Sequence, residues 1–202
     1  MSETFSAADL EPSDKERRAG RRALADRLAA IFAAIAAGFV PGGLVALGAC
    51  AAPFVFRMTP APMSGDAMGA AFARFDRIAL ACAGVVLLAE IVRTYVGGAR
   101  ARTPIARVRR FAAVGLAAAI AYGGMFVSPA ILELHRSGVS RSVGEAGSRL
   151  EAVHERASAL GKVEALLAAA LVALHIVTLP RGRPEDEDED DVAAPLAPGP
   201  RG

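Results

Sequence analysis

A run of 29 uncharged residues, Leu28 to Phe56, most constrains what this chain can fold into. As a helix rising ~1.5 Å per residue it outreaches a bilayer hydrocarbon core of ~30 Å. It does not read as a secretory leader, because the charged stretch ahead of it is long and the run exceeds a leader's apolar region. Leu47-Gly48-Ala49-Cys50 has the form of a lipoprotein cleavage box, but is read as small residues inside a membrane helix. Pro41, followed by Gly42 and Gly43, is expected to kink that helix, and tilt absorbs its remaining length.

Three further apolar runs follow. Ile78 to Val96 is apolar as far as Ala89 and then carries Glu90 and Arg93. Phe111 to Leu132 is uncharged over 22 residues. Val163 to Leu179 has Glu164 at its start and His175 inside. The expected fold class is therefore all-α, an integral membrane four-helix bundle with spans at about 31–56, 78–97, 111–132 and 163–180. Small residues dominate all four runs, which lets helix backbones approach closely. Charged residues are 22% of the chain, and they are segregated between the apolar runs.

Residues 1–27 read as a polar tail, helical from about Ser13, and 28–180 as the membrane domain. The connection before the last span is patterned: Val143, Ala146, Leu150, Val153, Ala157 and Leu160 recur every three or four positions. Ser142 to Leu179 is therefore expected to form nearly one helix, an amphipathic extramembrane extension that enters the membrane, with Gly161 loosening the join. Seven adjacent acids, Glu185 to Asp191, repel one another, so 181–202 is expected to be a disordered acidic tail.

The basic residues set the orientation. The N-terminal tail, the second connection and the two residues just after the fourth run, Arg181 and Arg183, together carry thirteen, and the first and third connections eight. The second connection has no acid at all. The positive-inside rule puts both termini and the second connection in the cytoplasm. Richness in Ala, Gly and Arg suggests a bacterial protein, and hence the inner membrane. Net charge is only +2, and the basic residues flank apolar runs. They point to lipid headgroups as the partner and away from nucleic acid.

Two motifs carry a resemblance. The first is Pro53-Phe54-Val55-Phe56-Arg57-x-x-Pro60, then Gly65, Phe72 and Phe75. The second is Leu150-x-x-Val153-His154-x-x-x-Ser158 ahead of the last run, and Pro129 closes the third. Over roughly residues 40 to 178 this order resembles the transmembrane protein 205-like family of four-span membrane proteins. Leu150 stands where that family usually has an aromatic residue, and Gly161 where it tends to have Asn. The resemblance implies fold and membrane location, and no established activity.

Three constellations are candidate sites. Glu90 and His175 each lie 12 residues into spans that both run from outside to inside, so they are expected at similar depth as an intramembrane polar pair, with Arg93 on the face of Glu90. Such a pair relays protons, binds a cation, or serves only as a structural clamp. Arg57, His154 and Ser158 are expected at the outer face, where His154 and Ser158 share a helix face. There Arg57 meets an anion or simply snorkels to headgroups. Met58, Met63 and Met68 offer soft ligands of the kind monovalent copper prefers, although methionine also fills packing gaps. No other cofactor is expected.

The sequence has no phosphate loop, zinc-protease helix or nucleophile elbow, and His175 has no second histidine at its depth for haem ligation. An enzyme is not expected. The expected function is a membrane protein handling a small solute or a soft metal ion. The rival is a non-transporting scaffold that packs against a protein partner or a second copy of itself, and a membrane enzyme with an outer-face site is a third, weaker alternative.

Overall fold

The computed structural model describes residues 13–60, 63–139 and 143–179, and these contain helices and turns but no strand. The acidic run Glu185 to Asp191 lies outside the described residues. Four long helices carry the fold: α1 Asp14–Met58, α2 Met63–Val96, α3 Pro104–Arg136 and α4 Gly144–Val177. Each packs against two others, in the ring order α1, α2, α3, α4 and back to α1. Three of them, α1, α3 and α4, are long and apolar enough to cross a membrane.

Local chemistry sets the helix ends. Ser13 accepts the amide of Glu16, and the Glu16 carboxylate accepts the Ser13 amide, a reciprocal capping box that starts α1. Thr59 is extended ahead of Pro60, as sterics before proline require, and α1 stops there. Beyond α2, Gly98 takes φ +53 and turns the chain into a short 3₁₀ segment. Thr103 then caps α3, its hydroxyl accepting the Ala106 amide, with Pro104 at the first helical position. α4 runs unbroken through Gly161.

Inside and outside are inverted relative to a water-soluble bundle. The shared core is built mostly of small side chains: Ala36 and Ala37 from α1, Ala79 and Ala83 from α2, Ala113 from α3 and Ala168 from α4, with Leu116 and Leu171 filling the centre. The large apolar side chains face outward; Phe39 is 60% exposed, Leu88 61%, Phe111 77% and Leu166 71%. Leaving such side chains in water forgoes about 1.5–3 kcal/mol each. Lipid removes that cost, and in lipid the helices associate through close backbone packing of small residues instead. Gly43 shows how close: a Cβ there would sit 2.1 Å from the Phe75 ring of α2. The chain is an integral membrane protein.

Two helices widen on the way to the α1–α2 connection. α1 continues through Pro41, so regular geometry is lost a few residues beyond the expected kink, in a π-helical turn at Ala46–Ala51. α3 has a second such turn at Gly123–Val127. Each is followed by a proline, Pro53 and Pro129, at the start of the resumed α-helix. A proline ring clashes with the carbonyl four residues back, and a wide turn relieves that clash.

Candidate functional site

The buried stripe of each helix ends in charge. On α1 it reads Asp26, Ala30, Ala33, Ala37, Val40, and on α3 Arg109, Ala113, Leu116, Ile120. On α4 it reads Glu164, Ala168, Leu171, His175. On α2 the stripe Ala79, Ala83, Val86 runs on to Glu90 and Arg93 at one end and is preceded by half-buried Asp76 at the other. The apolar core thus lies between two polar layers.

At the layer nearer the start of α1, one residue or more from every helix meets. Arg93 Nε donates to Asp26 Oδ1 at 2.8 Å, linking α2 to α1. Its Nη1 lies 2.9 Å from His175 Nδ1, and its Nη2 donates to the Thr178 carbonyl at 2.9 Å, both at the end of α4. Arg109 of α3 donates through Nε to Glu90 Oε1 and through Nη1 to the Thr178 hydroxyl. His175 Nε2 lies 3.4 Å from Glu90 Oε1. Asp26, Glu90, Arg93, Arg109 and His175 are each at most 7% exposed. Two carboxylates balance two guanidiniums, so the layer is neutral with His175 uncharged, which is what makes it tolerable away from water.

The expected pair Glu90 and His175 is therefore brought together, with Arg93 beside it. Asp26 and Arg109 were missed because each sits in an Arg-rich segment that reads as a tail or connection. Helical phase was the available signal: Asp26 is four residues before Ala30, and Arg109 four before Ala113, both on the buried face.

At the other end a cavity of about 960 Å³ opens among all four helices, with both wide turns in its wall. Its polar lining includes Asp76, Ser128, His135, His154, Ser158 and Glu164. Ser128 donates to Asp76 Oδ2 at 2.6 Å, and the His135 and His154 rings meet edge to face at 5.7 Å. Gly65 faces His135: a Cβ there would come within 3.5 Å of its ring. Of the expected outer site, His154 and Ser158 line the cavity, whereas Arg57 is exposed and does not. The methionines divide as well: Met68 is buried in the cavity wall, while Met58 is 80% and Met63 63% exposed. Among the described residues no cluster of three or more His, Cys, Asp or Glu side chains suits a metal ion.

Residues of both wide turns line this cavity. The amide of Ala52 bonds the Leu47 carbonyl and that of Ser128 the Gly123 carbonyl, each reaching five residues back. The next donors in register are residues 53 and 129, both proline. Proline has no amide, so neither residue can serve the carbonyl of Gly48 or of Gly124, two cavity-lining residues.

No curated protein and no solved structure matches the chain. A family match covers residues 35–140, from the middle of α1 to just past α3. It takes in Asp76, Glu90, Arg93, Arg109 and Ser128, while Asp26 precedes it and Glu164 and His175 follow it. On that match the chain belongs to the family described as Domain of unknown function (DUF4149), an uncharacterised family of membrane type.

Proposed function

We propose that this protein spans a bacterial inner membrane four times, with both termini in the cytoplasm, and moves or senses a small solute through its cavity. The carrying observation is the asymmetry between the two ends of the bundle. One end holds the cavity, and the other is closed by a packed alanine-rich core and a balanced ion network. With α2 as the fourth span, the distribution of Arg and Lys puts the cavity on the outer side. A solute would enter there, and the network is the gate that must rearrange for release. The motifs that resemble the transmembrane protein 205-like family flank this cavity, Pro53 and Pro129 through the wide turns they impose. The soft-metal variant has less support, since one methionine of its three is in the cavity wall. The reading involves no catalytic step.

The test uses single cysteines in a background where Cys50 and Cys82 are replaced by Ala. Ala157→Cys, in the cavity wall, is expected to react with a membrane-impermeant maleimide from the outer side. Adding Glu90→Gln or His175→Ala, which loosens the gate, is expected to expose it to reagent from the cytoplasmic side while insertion is unchanged. No outer-side reaction would sink the proposal. Outer-side reaction that never shifts would favour the non-transporting scaffold.

A further inference from the structure

We infer that the cavity binds an organic monocation, an ammonium group on an apolar body, with Glu164 and Asp76 as its counter-charges. The inference deepens the reading above and rests on the cavity admitting a solute.

Glu164 is the central observation. Its side chain is on α4, it lines the cavity, and it is only 8% exposed. Among the described residues no hydrogen-bond donor or cationic side chain engages its carboxylate. That contrasts with Glu90, which has Arg109. A carboxylate that faces a largely apolar cavity without a cationic partner is a counter-charge open to a cation that enters it.

The surroundings define what kind of cation. Two consecutive glycines of the α3 wide turn sit between the acids. A Cβ on Gly123 would be 3.4 Å from Glu164 Oε1, and one on Gly124 would be 3.6 Å from the Asp76 Cβ. Asp76 adds a second carboxylate, oriented by Ser128. Pro129 has no amide to give the carbonyl of Gly124, a cavity-lining residue next to Asp76, so an acceptor is available there. Every one of these groups accepts or carries negative charge. Arg77 and Lys162 line the cavity too, but both are exposed and neither pairs with Asp76 or Glu164 among the described residues.

Size and lining then separate an organic cation from a bare ion. A metal ion needs a tight cage, and no group of three or more His, Cys, Asp or Glu side chains suited to one is present among the described residues. A cavity near 960 Å³ is at the upper end of the ~300–1,000 Å³ typical of sites for small organic molecules. Its walls are largely apolar, with Leu44, Met68, Phe72, Ile120 and Leu160 among them. Such walls take the hydrocarbon body while the acids take the charge, and Phe72 puts among the lining residues an aromatic ring of the kind that attracts a quaternary ammonium.

The test is equilibrium dialysis of the full-length protein in detergent against benzyltrimethylammonium, with neopentylbenzene as an uncharged isostere and sodium and magnesium as competitors. Saturable binding of the cation is expected, with none of the isostere. Glu164→Gln, which keeps the shape, is expected to weaken binding at least about tenfold, as loss of a charged partner should. Asp76→Asn should weaken it less. A circular dichroism spectrum unchanged from wild type verifies that each variant is folded. Absence of saturable binding, equal binding by Glu164→Gln, or displacement by millimolar sodium or magnesium would overturn the inference. The experiment needs no transport, so it separates from the labelling test above. Failed binding with an intact labelling shift removes the ligand class alone. Intact binding with no shift keeps the site and removes the movement.

Discussion

Nη1 of Arg93 lies 2.9 Å from Nδ1 of His175. A guanidinium can only donate, so Nδ1 must accept, and the ring proton of neutral His175 is on Nε2, the atom facing Glu90 Oε1. The network therefore fixes a tautomer. Nitrogen NMR of labelled protein is expected to show a single neutral Nε2–H imidazole for His175. Arg93→Gln, whose amide can present either a donor or an acceptor, is expected to give a tautomer mixture. A charged His175 in the wild type would contradict the assignment.

The balance of the network makes single and paired changes differ. Asp26→Asn leaves the Arg93 guanidinium buried with one charge unmatched, and removing one partner of a buried pair costs about 3–5 kcal/mol. The double change Asp26→Leu with Arg93→Leu leaves no orphaned charge at that pair and is expected to cost less than Asp26→Asn alone. Unfolding of purified protein in detergent, followed by circular dichroism, checks both.

Adjacent glycines in α1 should respond in opposite ways. Gly43→Ala would drive a methyl to 2.1 Å from Phe75 and is expected to cost about 1–3 kcal/mol through strain. Gly42→Ala meets nothing within 4 Å and should be neutral or slightly stabilising by helix propensity. Phe75→Leu should recover part of the loss in Gly43→Ala. The same unfolding measurement decides all three, and equal effects at the two glycines would refute the close α1–α2 contact.

The capping box at Ser13 has a pH signature. The Ser13 side-chain and backbone hydrogen bonds hold the exposed Glu16 carboxyl below its ordinary 4.5. A carboxyl depressed in the folded state contributes its stabilisation above the unfolded value and loses it as pH falls through the depressed one. Side-chain NMR titration is expected to place Glu16 below 4.5, and Ser13→Ala to return it toward that value. Fraying of the first turn of α1 should follow the same protonation.

Much of the fold could be read from residue order. The Leu28 to Phe56 run, the Gly and Pro punctuation, and the long periodic helix beginning near Gly144 all act locally, through propensity, capping and apolar length. The Glu90–His175 meeting was also legible, because equal spacing along helices entered from one side sets equal depth. Asp26, Arg109, Asp76 and Glu164 were not, since a charged residue near the end of an apolar run looks the same whether it faces water or the bundle.

Sequence by itself determined that this chain belongs in lipid: an uncharged run longer than a bilayer is thick has no better solvent, and small residues on its helices permit close packing. Only the tertiary structure decided which charges are inside. Rotation of each helix about its axis is set by how its alanine stripe seats against two neighbours, and that rotation turns Asp26, Arg93 and Arg109 into a shared network. It also brings Glu164 and Asp76 to a common cavity. Those are relations between helices distant in the chain, and no local pattern encodes them.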